Sequence, residues 1–170
     1  MQKSEVAGPK LRIGQRGKGT KGWVHLDSHE TADLVAEIPP LPFSVTSRKW
    51  AAVEGIHVWE HFYKWQADQL ASQIYSILCD GGQLILECPN LEIACRSFLG
   101  RYKNSVSYHM HVFYGDPQHE DPSYGHRWGY TPDTLRLQLA EHGGFDFRAI
   151  RIEHAQHHVP DRDFRIVATK

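Results

Sequence analysis

The chain has few cysteines and no excess of charge of either sign. Its three cysteines, Cys79, Cys88 and Cys95, form no Cys-x-x-Cys pair, which argues against a disulfide framework. With 19 basic and 20 acidic residues the formal net charge is −1, so the sequence lacks the basic field that gathers nucleic acid or an anionic membrane. These absences favour a reducing, cytoplasmic location, and a small molecule or a local protein surface as partner.

Long apolar runs are also absent. The first ten residues are polar, without the apolar region of a signal peptide, and no run approaches the ~20 apolar residues that cross a bilayer. The 170 residues are 41% hydrophobic and 23% charged, which suits one compact domain over residues 1–170. Histidine, by contrast, is abundant, with 12 copies.

A glycine-containing turn lies between two short predicted strands, residues 11–13 and 23–27. The first strand is followed by Gly14, Gln15 and Gly17, and the second ends at Asp27. Glycines let a backbone approach a ligand closely, and a carboxylate at the tip of the next strand can bind both hydroxyls of a ribose. The pattern is that of a nucleoside-cofactor site. The link between the two strands is so short that it holds one helical turn at most and leaves one sheet face thinly covered.

Strands and helices alternate through the rest of the chain. Apolar positions from Tyr63 onward recur every 3.6 residues and predict an amphipathic helix, ended by glycines in residues 80–82. Thr131 and Pro132 predict the start of a further helix. The remaining strands are predicted at residues 33–38, 51–58, 84–86, 147–152 and 163–168. This order predicts an α/β, doubly wound, mostly parallel sheet of about seven strands with a terminal antiparallel pair.

Four segments stand in an order that is typical of one enzyme family. They are the opening turn with Gly-Trp-Val-His-Leu-Asp at 22–27, Leu-Pro-Phe at 41–43, His-Val-Trp-Glu-His-Phe at 57–62 and Asp-Gly-Gly-Gln-Leu-Ile-Leu-Glu-Cys-Pro-Asn-Leu at 80–91. The chain resembles, from about residue 11 to its end, the class I S-adenosylmethionine-dependent methyltransferases, and most of all a small bacterial branch. The resemblance implies a Rossmann-like fold, S-adenosylmethionine as cofactor, and methyl transfer to an O or N atom of a small molecule or saccharide.

The resemblance also implies cofactor contacts. Asp27 matches the acid that binds the cofactor ribose, and Glu37 matches an acidic position near the adenine amino group. His57 falls in the segment that lines the cofactor pocket after the fourth strand. The expected cofactor-binding residues are Gly14, Gln15, Gly17, Asp27, Glu37 and His57.

The glycine loop departs from the family pattern. Gly14-Gln15-Arg16 stands where the family has Gly-Cys-Gly, and a side chain at position 16 crowds the close backbone approach that glycine permits. Either Gly17 and Gly19 compensate or cofactor binding is lost. The second outcome supports an alternative function, a catalytically inactive methyltransferase-fold protein that works as a binding or assembly module.

Residues 90–130 lack clear periodicity and are rich in Tyr, His, Pro and Gly, which predicts a lid or substrate loop. Its histidines suit substrate contact or general base catalysis, because imidazole titrates near neutrality. Two metal interpretations compete with this one: His57-x-x-Glu60-His61 fits the pattern of inverted zinc proteases, and several loop histidines could group around an ion. We expect no metal, and we take as candidate catalytic residues His57, His109, His111 and His126.

Overall fold

A seven-stranded mixed sheet forms the centre of the molecule. The computed structural model describes residues 6–100, 106–116 and 118–170, without the side chains of residues 106–109. The strand order is β3-β2-β1-β4-β5-β7-β6. Strands β1 to β5 pair in parallel, whereas β7 runs antiparallel to both β5 and β6. The strands are β1 Lys10–Ile13, β2 Trp23–Asp27, β3 Leu34–Val35, β4 Trp50–Ile56, β5 Leu78–Pro89, β6 Ile150–His154 and β7 Asp163–Thr169.

Five helices accompany the strands in the described residues. They are α1 Phe43–Thr46, α2 Lys64–Ile77, α3 Leu91–Phe98, α4 Val106–Tyr114 and α5 Pro132–Glu141. One-turn 3₁₀ helices occur at Trp59–His61, Pro122–Tyr124 and Phe147–Ala149. The sequence therefore predicted correctly the mostly parallel sheet of about seven strands and its terminal antiparallel pair. None of the helices described here has both the length and the apolar character of a membrane span.

The core packs α2 and α5 against one face of the sheet. Alternate residues of a strand point to opposite faces, so the buried side chains of Leu11 and Ile13 share one face and Arg12 points to the other. The apolar side includes Leu26, Val53, Leu84, Leu86, Ile166 and Ala168 from the strands, with Leu70, Ile74, Leu135 and Leu139 from the helices.

The opposite sheet face is held by charged side chains. The register aligns Arg12 with Glu54, and their ion pair is 2.5 Å long. The Arg12 guanidinium also lies 4.3 Å from the Trp23 ring centroid. Farther along the same face, Arg165 lies opposite Glu87 and donates to it at 2.6 Å. This face therefore carries a layer of largely buried ion pairs, and the thin covering that the sequence predicts for one face stays a prediction.

Residues 15–22 join β1 to β2 without a helix, as expected. Several hydrogen bonds fasten this link to the chain around β2 and β3, among them one from Lys18 Nζ to the Ala32 carbonyl at 2.6 Å. The amide of Gly17 donates to Thr31 Oγ1 at 3.1 Å, and the Gly17 carbonyl accepts from His25 Nδ1 at 3.0 Å. The amide of Gly19 donates to Asp33 Oδ2 at 2.7 Å. Hydrogen bonds from the backbone amides of His25 and Gly19 hold the pKa of Asp33 below its ordinary value.

The prediction that glycines end helix α2 is wrong. The helix stops at Ile77, and Leu78 is already extended and begins β5. The glycines belong to the strand because they pair with the end of β7: the Gly81 amide donates to the Lys170 carbonyl at 2.9 Å, and the Lys170 amide donates to Gly82 at 3.0 Å. A long-range pairing thereby replaces the local turn.

Other boundaries shift by a few residues. Strand β3 is two residues long rather than six, because only Leu34 and Val35 find partners on β2. Strand β4 ends at Ile56, and His57 turns the chain with φ of 50°. The predicted start of α5 is confirmed, with the Thr131 hydroxyl accepting from the Thr134 amide at 3.2 Å.

The segment 90–130 contains helices where the sequence predicted a loop. Asn90 caps α3 by accepting from the Glu92 amide at 3.0 Å, and the Glu92 and Arg96 side chains pair one turn apart. The two ends of the segment meet, since the Leu91 amide donates to the Tyr130 carbonyl at 2.8 Å. Its role as a lid or as a substrate-binding region stays a prediction.

Candidate functional site at the carboxyl edge of the sheet

Gly14 sits where β1 ends and lies against the chain that follows β4. It adopts φ of 69°, and its amide donates to the Leu26 carbonyl at 2.9 Å. A Cβ atom at this position would lie 2.4 Å from Val58 Cγ2. Both the backbone angle and the close approach therefore require glycine. This turn brings the ends of β1, β2 and β4 together.

Asp27 ends β2 at the same edge. Its Oδ1 accepts from the His29 amide at 2.8 Å, and its carbonyl accepts from Ala36 at 3.0 Å. Gln15 is exposed beside Gly14, and Gly17 is tied to the residues that follow β2. The structure thus brings Gly14, Gln15, Gly17 and Asp27 to one edge of the sheet. Glu37 is exposed two residues after β3, at the outer end of that edge.

His57 lies between two buried carboxylates. Its Nδ1 is 3.2 Å from Glu60 Oε1, and its Nε2 is 3.1 Å from Asp163 Oδ2. Burial disfavours the charged imidazole, but the carboxylates of Asp163 and Glu60 outweigh that effect and raise the pKa of His57 to about 9. At neutral pH this side chain is therefore a cation without a lone pair to accept a proton. It holds two carboxylates in place, and Asp163 also pairs with Arg162 at 2.5 Å.

Glu60 is also approached by two further imidazoles. Ligand atoms of Glu60, His61 and His126 all lie within 4.8 Å of one another. Glu60 is 2% exposed, and its Oε2 is buried without a hydrogen-bond partner. Burial opposes its charge, yet the hydrogen bond with His57 and the charges nearby keep the pKa of Glu60 below its ordinary value. Glu60 is therefore a carboxylate in the folded protein.

Backbone carbonyls fix the orientation of both imidazoles. His126 Nδ1 lies 2.9 Å from the Val112 carbonyl, and His61 Nδ1 lies 3.3 Å from the Gly125 carbonyl. The two rings pack edge to face with centroids 4.9 Å apart. Burial lowers the pKa of His126 more than the Glu60 charge raises it, so this imidazole is neutral at neutral pH.

The chain around His126 is anchored to the same edge. The amides of Arg127 and Trp128 donate to the Glu60 carbonyl at 2.8 and 3.2 Å. The Arg16 guanidinium carbon lies 5.6 Å from the ring centroid of Tyr124. The end of the segment 90–130 therefore contacts the turns after β1 and after β4.

The other candidate residues lie elsewhere in this segment. His111 is half-buried on the last turn of α4. The side chain of His109 lies outside the described residues. The structure thus places His57 and His126 on either side of Glu60, at an edge that Gly14 also reaches.

Sequence reasoning missed two parts of the site. Asp163 was assigned only to a strand, and its role follows from the pairing of β7 with the end of β5 at Pro89. The grouping of His126 with Glu60 and His61 was also missed. The His-x-x-Glu-His pattern was noted, but its partner lies 65 positions beyond His61, and nothing local indicates that they meet.

Two cavities open on the surface near these elements. One, of about 260 Å³, lies on the charged sheet face beside the end of β1 and is lined by Arg12, Gln15, Ile56 and His158, among others. The other, of about 310 Å³, is an apolar groove between α3 and α4, bordered by Phe98 and Phe113.

Comparison with solved structures finds this fold in proteins of low sequence identity. A methyltransferase dependent on S-adenosylmethionine, from Archaeoglobus fulgidus, matches 98% of this chain and 87% of its own length, at 17% identity and a TM-score of 0.63. Human N-acetylserotonin methyltransferase, in complex with S-adenosylmethionine, matches 95% of this chain at 12% identity and a TM-score of 0.56. The small RNA methyltransferase HEN1 matches 97% at 10% identity and a TM-score of 0.55.

These likenesses establish the fold. The chain has the class I S-adenosylmethionine-dependent methyltransferase fold. It spans 47% of the human enzyme and 24% of HEN1. No protein-family model and no curated protein matches it.

Proposed function

We propose that the protein binds S-adenosylmethionine at the carboxyl edge of its sheet and transfers the methyl group to an O or N atom of a small molecule or saccharide. The observation that carries this proposal is the meeting of Gly14 and Asp27 at one edge, on a fold shared with methyltransferases. Ligands of open α/β sheets bind outside the carboxyl ends of the strands. S-adenosylmethionine bound there would place its ribose against Asp27 and its sulfonium group near the Gly14 turn.

Methyl transfer from a sulfonium group does not require the protein to form a covalent bond with either reactant. Holding donor and acceptor in line supplies most of the rate enhancement, and a base is needed only if the acceptor must lose a proton. His57, as a cation between Glu60 and Asp163, suits a positioning role. Of the other candidate bases, His111 is half-buried, and the neutral His126 suits proton removal only when its Nε2 binds no metal ion.

An inactive binding module is the competing function, and Arg16 motivates it. The Arg16 side chain is exposed and directed toward Tyr124. The turn at Gly14 keeps its positive φ beside it. This arrangement supports cofactor binding in spite of the missing second glycine.

Calorimetry of the wild-type protein with S-adenosylmethionine and with S-adenosylhomocysteine decides between the two functions. We expect one binding site for each ligand. Absence of binding heat at millimolar ligand would overturn the methyltransferase proposal and leave the binding-module function in its place.

A further inference from the structure

We propose that Glu60, His61 and His126 bind one divalent transition-metal ion of the zinc or cobalt type. Ion binding by these three residues is independent of the proposed function. Its use in catalysis rests on that function: the open positions of the ion would take the oxygen of the methyl acceptor.

The donor set is the first argument. Two imidazole nitrogens and one carboxylate are a ligand set of catalytic zinc sites and of related first-row metals, and they leave positions open for substrate. The three ligand atoms lie within 4.8 Å of one another. Two metal–ligand bonds span at most about 4.3 Å. In the tetrahedral geometry of zinc two such bonds set their ligand atoms about 3.4 Å apart, so binding would draw the most widely separated pair together by about 1.4 Å.

The orientation of the imidazoles is the second argument. A carbonyl oxygen only accepts hydrogen bonds, so Nδ1 of His126 and Nδ1 of His61 must carry the proton toward Val112 and Gly125. Each Nε2 then keeps its lone pair. Metal-binding histidines characteristically donate their other ring N–H to a backbone carbonyl or a carboxylate. Both of these outer hydrogen bonds, to Val112 and to Gly125, are already present in the protein.

The buried carboxylate is the third argument. Glu60 Oε1 lies against His57, whereas Oε2 is buried without a hydrogen-bond partner in the described residues. A buried carboxylate oxygen without a partner is costly. His126 Nε2 lies 4.0 Å from Glu60 Oε1, and a cation between the carboxylate and the two imidazoles would offset the buried charge. Cys88 is buried close by, and the ligand set proposed here consists of Glu60, His61 and His126, whose ligand atoms lie together.

The position of the cluster suggests its use. Val58, two residues before Glu60, packs on Gly14, and Tyr124, two residues before His126, lies near Arg16. The cluster therefore adjoins the turn at which the sulfonium group is expected. An ion there would orient an acceptor hydroxyl and lower the pKa of that hydroxyl. The O–H proton would leave to water or to a base, and the new C–O bond would form as the C–S bond breaks.

The test uses the full chain after treatment with a chelator. Zn²⁺ and Co²⁺ are titrated separately by calorimetry, and Co²⁺ binding is followed in parallel by visible absorption. We expect one equivalent of ion to bind to the wild type. His61→Ala and His126→Ala should each weaken binding at least tenfold. His119→Ala is the matched control, since His119 lies in the same segment but is exposed beside Asp116, and it should change affinity less than twofold.

Thermal unfolding and circular dichroism of each variant check that the fold is intact. Absence of Zn²⁺ and Co²⁺ binding by the wild type at millimolar ion overturns the inference. Equal losses in His126→Ala and His119→Ala overturn it as well. Titration of the ion-free protein with S-adenosylhomocysteine separates the two proposals, because cofactor binding without ion binding refutes only the metal site, and the reverse refutes only the methyltransferase function.

Discussion

Gly14 and Gly17 share a positive φ but differ in their surroundings. A Cβ at Gly14 would lie 2.4 Å from Val58, whereas nothing lies within 4 Å of a Cβ at Gly17. Both alanine variants carry backbone strain, and only Gly14→Ala adds a collision. We expect Gly14→Ala to lower the free energy of unfolding by about 1–3 kcal/mol more than Gly17→Ala does.

Urea unfolding of both variants measures this difference. Val58→Ala introduced into Gly14→Ala removes the colliding methyl groups and should restore part of the loss. Equal destabilisation by the two glycine substitutions would show that the contact with Val58 adjusts without cost.

Asp27 is the residue on which cofactor affinity should depend most. Asp27→Ala removes the acceptors for the ribose hydroxyls, and we expect S-adenosylhomocysteine binding to weaken by about 1–3 kcal/mol in calorimetry. Asp27→Asn is the matched variant, because an amide oxygen can still accept from the His29 amide. This variant separates the loss of the ribose-binding carboxylate from the loss of the hydrogen bond that Asp27 accepts from the His29 amide. Wild-type affinity in both variants would remove Asp27 from the cofactor site.

At the scale of elements, periodic segments were predictable and long-range pairings were not. Helix α2 shows its core-facing residues in a 3.6-residue repeat, so its existence follows from the sequence. Residues 80–82 look like a helix stop, and only their pairing with Lys170 makes them part of a strand. Tertiary contacts override local signals where the two compete.

The candidate site follows the same division. Gly14 and Asp27 were predictable, because a turn and a strand end are local features. The contact of His126 with Glu60 depends on how the segment 90–130 returns to the sheet through the amides of Arg127 and Trp128. The spacing of these residues in the sequence does not indicate that they are in contact.

Strands β5 and β7 share a buried ion pair that should make stability depend on pH. Glu87 is fully buried and accepts from Arg165 at 2.6 Å and from the Gln156 and His157 amides at 3.0 Å each. Burial opposes its charge, but these bonds hold its pKa below the ordinary value of 4.5. A lowered folded pKa stabilises the protein above 4.5, and that stabilisation is lost as pH falls through the folded pKa.

Glu87→Gln should therefore cost about 3 kcal/mol at neutral pH, because the buried Arg165 loses the charge of its partner at 2.6 Å and is left with Glu153 at 3.9 Å. It should also flatten the fall in unfolding free energy below about pH 4.5, measured by urea titration at stepped pH. Glu92→Gln is the control. It breaks the exposed pair with Arg96, and we expect less than about 1 kcal/mol from it. An acid limb as steep in Glu87→Gln as in the wild type would refute the assignment.

Across the whole molecule, the protection of backbone amides against hydrogen exchange should depend on the position of each strand in the sheet. Strands β4, β5 and β7 lie inside the sheet, and β3 pairs through two residues at its edge. We expect amide hydrogen exchange to be slowest in the first three and fastest in β3. Added S-adenosylhomocysteine should slow exchange in residues 14–19 and 27–29, and added Zn²⁺ in residues 60–62 and 125–128. If S-adenosylhomocysteine instead slowed amide exchange only around the cavity near Arg12 and His158, the cofactor would bind on the charged face of the sheet.

The helix-free link between β1 and β2 has a consequence for the timing of binding. Its hydrogen bonds to Thr31, His25 and Asp33 order residues 15–22 when the chain folds. A loop ordered in advance loses little conformational entropy when a ligand arrives. Residues 15–22 should therefore be rigid before the ligand binds. The association rate should then be limited by diffusional encounter and not by a loop-closing motion.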